Sequence, residues 1–164
     1  MKYDKLRYKR GSQVKTVFFG IDPGAKGALA IIEGRNVKTV AFDEQAYIDA
    51  LRQLNSESSF GVVEQVHSMP GQGVVSTFSF GENYGYIKGI LSTLGLWYDT
   101  VTPHVWTKHY GLTSDKKGHI DKAVEFYPDA NYLATPRSRV KSDGIADAIL
   151  LAKFAEKLHQ NIED

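Results

Sequence analysis

Asp22 closes the apolar run "TVFFGIDP" (16–23), and Glu64 interrupts a second one, "FGVVEQV" (60–66). Asp143 and Asp147 stand four residues apart in "SDGIADAILLA", a stretch with the period of a buried helix. A carboxylate left unpaired inside a fold costs several kcal/mol or takes up a proton, so each acid requires an explanation. Asp22 alone fits a turn, because Asp before Pro-Gly favours turn initiation. Glu64 alone fits a half-exposed strand with its acid toward water. Asp143 fits the first turn of a helix, where acids are favoured; the explanation is weaker for Asp147, set among Ile, Ala and Leu. At i and i+4 the last two share one helical face with Cβ atoms about 5–6 Å apart, which is mildly destabilising for like charges. Gathered together, the four would repel one another without a cation. Oxygen ligands with no His or Cys in the set select Mg2+ or Mn2+. Two such ions about 3.5–4 Å apart form the clamp used for in-line phosphodiester hydrolysis. The pattern predicts a metal-dependent phosphoryl-transfer centre at Asp22, Glu64, Asp143 and Asp147.

The elements that must bring these acids together can be read from the apolar periodicity. Residues 16–23, 27–34 and 37–42 read as three strands joined by tight connections, hence an antiparallel meander with Gly34-Arg35-Asn36 as one turn. Apolar residues from Glu44 to Asn55 recur at helical spacing. The strand at 60–66 then follows a helix-length insertion and is expected to lie parallel to the first. A long helix is expected from Val74 to Leu94, the alternative being a loop with helix only beyond Tyr84. Gly81, Gly85 and Gly89 would form a ridge on that helix. Helical glycines cost about 1 kcal/mol each relative to alanine, which suggests a close approach by the sheet or by a partner subunit. A fifth strand at 96–103, a short helical turn in "HVWTKHYGL", a helix capped by Ser114 or Asp115, the exposed segment "NYLATPRSRVK" and a final helix complete the chain. The expected fold class is α/β: a mixed five-stranded sheet, three strands antiparallel and two parallel, flanked by helices. In such a sheet Asp22 and Glu64 end neighbouring strands, and the last helix can lay its acids across them.

Length and composition are consistent with this. The 164 residues suit one domain with a real core. No apolar run is long enough to span a membrane, and the basic N-terminus lacks the apolar stretch of a secretory signal. The absence of cysteine excludes disulfides, thiolate metal sites and a cysteine nucleophile, and fits a cytoplasmic location. Net charge is only +1, but Lys2, Lys5, Arg7, Lys9, Arg10 and Lys15 face Asp4 alone within the first 15 residues. Residues 1–15 therefore read as a flexible basic arm, either a solvated tail or a phosphate-binding segment, and 16–164 as the single domain.

The blocks "GIDPG", "VVEQV" and "SDGIADA", in that order, resemble the RuvC-type Holliday-junction resolvases with their ribonuclease H-like fold. "VHSMPGQGVVSTFSFGENYGYIKGIL" followed by "TPHVWTKHYGL" is most similar to the phage and poxvirus-like branch. The resemblance runs from about Val17 to Ala155. It implies a Mg2+-dependent endonuclease, with Mn2+ able to substitute and two ions per site, acting on four-way and other branched DNA as a homodimer without membrane attachment. It matches Asp22, Glu64 and Asp147 to metal ligands, and Asp143 to their partner one turn earlier. The bacterial members space the last two acids by three rather than four, so the role of Asp143 is less fixed than that of Asp147.

Basic and aromatic candidates follow from the same resemblance. Lys116 and Lys117 match basic residues near the active-site face, where a lysine could hold the scissile phosphate or assist the leaving group; Lys117 is the catalytic candidate, with Lys116 and Lys108 as DNA contacts or solvated lysines. Arg137, Arg139 and Lys141 precede the acidic helix and are either phosphate contacts or a solvated face. His67 stands near an aromatic that helps open the junction in bacterial relatives, or is an ordinary loop residue. His104, His109, His119 and His159 lack metal-ligand spacing and receive no role. Two other readings remain: a junction-binding architectural protein in which the acids hold a structural ion, and an actin-like nucleotide-binding domain, for which the chain is too short to supply a second lobe.

Overall fold

The computed structural model describes residues 16–65 and 73–163; the basic arm 1–15 and His67 lie outside them. The three-strand meander forms as expected. Strand β1 (Val17–Asp22) pairs antiparallel with β2 (Ala28–Glu33), and β2 with β3 (Asn36–Ala41). Gly34, at φ 61°, makes the tight turn between β2 and β3 in a left-handed conformation that side chains disfavour. Helix α1 (Glu44–Leu51) is capped by Asp43, whose Oδ1 accepts from the Ala46 N–H at 2.8 Å. It returns the chain so that β4 (Ser59–Glu64) runs parallel to β1. Helix α2 (Val74–Thr93) then carries the chain to β5 (Trp97–Val101), parallel to β4. The order across the sheet is β3-β2-β1-β4-β5, with β1 at its centre.

Three helices follow the last strand. Helix α3 (Pro103–His109) starts on a proline, which suits the first turn. Helix α4 (Lys116–Phe126) is capped by Asp115, which accepts from the Lys117 N–H. Helix α5 (Asp143–Glu163) is the longest element described. From Gly144 to Ala152 every residue of α5 is buried, so this segment is enclosed on all sides.

Alternation along the strands creates two cores. Phe19 and Ile21 of β1 and Val63 of β4 face Tyr47 and Leu51 of α1 and Ile87 and Leu91 of α2. Phe18 of β1, Phe60 and Val62 of β4 and Val101 of β5 face Ile145, Ile149 and Leu150 of α5, together with Trp106 and Ala123. Fully burying one such Leu or Ile contributes about 1.5–3 kcal/mol. Helix α5 approaches β1 at backbone distance: a Cβ on Gly20 would lie 2.2 Å from the Ala152 nitrogen and 2.3 Å from the Ala148 oxygen. Gly144 is equally constrained, since its Cβ would fall 2.0 Å from the Lys26 carbonyl oxygen.

Helix α2 is continuous from Val74, not only beyond Tyr84. A Cβ on Gly81, Gly85 or Gly89 would meet nothing within 4 Å, so the sheet beneath does not account for that glycine ridge. Gly20→Ala is expected to lower stability by about 3 kcal/mol in urea unfolding, because helix and strand must separate. Gly118→Ala, in helix α4 with open space around the added methyl, is expected to raise it by up to about 1 kcal/mol. Equal and small effects of the two substitutions would contradict the backbone-level contact.

Candidate active site

On β1 the residues Phe18, Gly20 and Asp22 share the face covered by α5, and on β4 so do Phe60, Val62 and Glu64. The parallel register pairs Phe18 with Phe60 and Gly20 with Val62. Asp22 and Glu64 therefore end adjacent strands, side by side on one face. The missing side chain at Gly20 lets α5 settle directly beneath them, and this brings Asp147 to the same corner. Asp147 is 4% exposed, whereas the Asp143 side chain, one turn earlier, is 44% exposed.

Asp22 is a turn residue as well as a member of the cluster: its Oδ1 accepts from the Gly24 N–H at 3.0 Å. Burial pushes its carboxyl up to about 6; the Gly24 hydrogen bond and Lys116 oppose that shift, while Asp147 and Asp143 add to it. Glu64 is pushed up to about 7, again chiefly by burial and then by the charge of Asp22. The hydroxyl of Tyr47, buried beneath, has no hydrogen-bond partner among the described residues. Burial and the Asp22 charge drive its ionisation far upward.

Lys116 brings positive charge to the acids. Its Nζ lies 2.7 Å from Asp147 Oδ2 and 3.9 Å from Asp143 Oδ2. Burial works against the ammonium, but the hydrogen bond and charge of Asp147, with Asp143 and Asp22 behind, hold it charged above its ordinary range. Lys117 is placed elsewhere: it extends into solvent and pairs with Asp121 at 2.7 Å. Lys108 is exposed on α3, and Arg137 and Arg139 are exposed in the loop before α5. Lys141 lies in the same loop, 5.3 Å from the centre of the Tyr132 ring.

Two residues given no role in the sequence reading also reach the acids. Trp106 donates from Nε1 to Glu64 Oε1 at 2.9 Å. His119 places Nδ1 2.6 Å from Asp147 Oδ1 and Nε2 2.8 Å from the Thr113 carbonyl oxygen. A carbonyl only accepts, so Nε2 donates to it, which leaves Nδ1 facing Asp147. Metal-ligand spacing could not have revealed His119. Its place four residues before Ala123, on the buried face of α4, was the available signal.

Among the described residues, no three acids or histidines are drawn close enough to hold an ion as they stand. The chemistry of the donor set nevertheless fits a hard divalent cation. It consists of carboxylates, two of them forced toward protonation by burial and by the charge of neighbouring carboxylates, and a bound cation would offset both penalties.

No family model and no curated protein matches this chain. Solved structures do. T. thermophilus RuvC in complex with Holliday junction substrate matches with a TM-score of 0.59 and 12% identity, over 87% of this chain and 96% of that one. A second Thermus thermophilus RuvC structure matches with a TM-score of 0.57 and 14% identity, over 88% and 97%. At these identities the likeness establishes the fold, a RuvC-like ribonuclease H-type sheet.

Both raised carboxyls bind protons more tightly folded than unfolded. Their stabilising contribution is therefore full below about pH 4, fades as pH rises, and is lost above about pH 7. The Asp22 shift, from 3.8 to about 6, corresponds to roughly 3 kcal/mol. In EDTA, Asp22→Asn is expected to be more stable than wild type at pH 8 by about 2–3 kcal/mol, with no advantage at pH 4. Chemical denaturation at the two pH values checks this, and equal stability at pH 8 would contradict the buried charge.

Proposed function

We propose that the chain is a divalent-metal-dependent endonuclease that resolves four-way DNA junctions, in recombination or phage DNA processing. The observation that carries this reading is the convergence of half-buried Asp22 and Glu64 with buried Asp147 at one end of a RuvC-like sheet, where the charge of Asp147 helps raise the other two carboxyls. The sequence blocks that resemble the phage and poxvirus-like branch favour a member of that branch, working in the cytoplasm where DNA is accessible. No described helix is long and apolar enough to cross a membrane.

Asp22, Glu64 and Asp147 would hold Mg2+ or Mn2+, and Asp143, half-exposed at the rim, would complete the set. Two bound ions would neutralise the attacking and leaving oxygens of the phosphodiester. Lys116, charged and beside Asp147, is positioned to meet a scissile phosphate. Lys117, engaged with Asp121, would need to leave that pair before it could contribute. Arg137, Arg139, Lys141 and Lys108 lie on exposed surface and would add backbone phosphate contacts that weaken with salt.

A four-way junction has two-fold symmetry, and a homodimer would present two centres to it. The outward face of α2 supports that assembly. Val74 and Phe78 are 85% and 66% exposed there, and they continue into the open ridge of Gly81, Gly85 and Gly89. Gly85→Leu is expected to convert dimer to monomer in sedimentation, with the fold intact.

Cleavage of four-way, three-way and linear duplex DNA, compared side by side with Mg2+ and with EDTA, tests the reading. Metal-dependent cutting that favours the four-way substrate is expected. Asp22→Asn and Asp147→Asn should each lower it at least about a thousandfold while junction binding persists. Junction binding without cutting by the wild type would instead favour an architectural role, and wild-type rates in either variant would remove the acids from the mechanism.

A further inference from the structure

Trp106 and His119 reach the acidic cluster from behind, and they touch each other. Their rings pack edge to face, 5.5 Å between centroids at 83°. Both are buried, at 1% and 3% exposure. Trp106 ties one oxygen of Glu64, and His119 ties one oxygen of Asp147 while anchored through its other nitrogen to the Thr113 carbonyl. The two acids come from different elements, a strand end and a helix, so nothing in local backbone geometry fixes the distance between their carboxylates. The packed ring pair links them.

We propose that Trp106 and His119 act as a single brace that sets the spacing and orientation of Glu64 and Asp147 for metal binding. This rests on the metal-centre reading above. Neither residue touches substrate; both are positioning residues. Each leaves one carboxylate oxygen untied. On Asp147 that oxygen is Oδ2, which carries the Lys116 ammonium and so already faces positive charge. Hydrogen bonds of this outer kind hold a ligand in one rotamer, and their loss typically weakens metal affinity about 10–100-fold. If these polar atoms only satisfied a core, backbone carbonyls would serve. Here both inner contacts end on carboxylates assigned to the metal.

The test uses Trp106→Phe, which removes the N–H and keeps an aromatic ring, and His119→Phe, which removes both ring nitrogens. Tyr132→Phe serves as a control, because it deletes another buried hydrogen bond, from the Tyr132 hydroxyl to the Tyr127 carbonyl, outside the cluster. Mn2+ binding is measured calorimetrically without DNA, alongside thermal unfolding in EDTA and the Mn2+ concentration giving half-maximal junction cleavage. Each brace variant is expected to bind Mn2+ about 10–100-fold more weakly and to recover most of its cleavage rate at high Mn2+. The double variant should lose less than the product of the single losses, because the two act as a unit. Tyr132→Phe should lose stability yet bind Mn2+ like the wild type. If His119→Phe does not fold, Trp106→Phe decides. Folded brace variants with wild-type Mn2+ affinity, or losses matched by Tyr132→Phe, would overturn the brace while leaving the metal centre standing. A wild type that takes up no Mn2+ would overturn both.

Discussion

Two carboxylates end neighbouring parallel strands on the same face of the sheet, and a buried helix carries a third to meet them. Burial is the largest cause that raises Asp22 and Glu64 above the normal carboxylate range; Asp147 and Asp143 add to the shift of Asp22, and Asp22 and Asp147 to that of Glu64. An apolar core built only for stability would place isoleucine or valine at these positions, as it does one step back along both strands at Ile21 and Val63. The acids lie at the ends of β1 and β4. Lys116 on Asp147, the Gly24 amide on Asp22 and Trp106 on Glu64 hold the corner. None of these matches the charge of a divalent ion.

The rest of the fold serves to hold that corner together. Helix α5 reaches β1 at backbone distance because Gly20 has no side chain and because Ala148 and Ala152 present little bulk. Gly144 lets the start of α5 seat against the carbonyl of Lys26 in the β1–β2 connection. With these contacts fixed, Asp147 cannot move away from Asp22 without dismantling the core that Ile145, Ile149 and Leu150 share with Phe18, Phe60 and Val62. The stability of the domain and the compression of its acids have the same origin.

Much of this was legible before any coordinates. The meander, the parallel return of β4 and the final helix followed from apolar periodicity and turn residues, with Pro23-Gly24 ending β1 and Gly27 and Gly34 flanking β2. Asp22, Glu64 and Asp147 stood out as a set, since Asp22 alone fits a turn and Glu64 alone a half-exposed strand, and only together do they call for a cation. The brace was not legible, because Trp106 and Glu64 are 42 residues apart and His119 and Asp147 28, and only tertiary packing joins them. The choice between Lys116 and Lys117 was equally hidden. Adjacent residues on a helix point about 100° apart, and the placement of α4 against α5 decides which one faces Asp147. The glycine ridge of α2 was visible as a spacing, but the open space outside it became apparent only once the sheet was seen to lie on the opposite face.

The central claim is that the converging acids form a cation site, and the most direct measurement is anomalous diffraction from crystals grown with Mn2+ near pH 8. The account expects Mn2+ peaks bounded by the carboxylates of Asp22, Glu64 and Asp147. Crystals saturated with Mn2+ that show no peak there, with Lys116 still seated on Asp147, would contradict it.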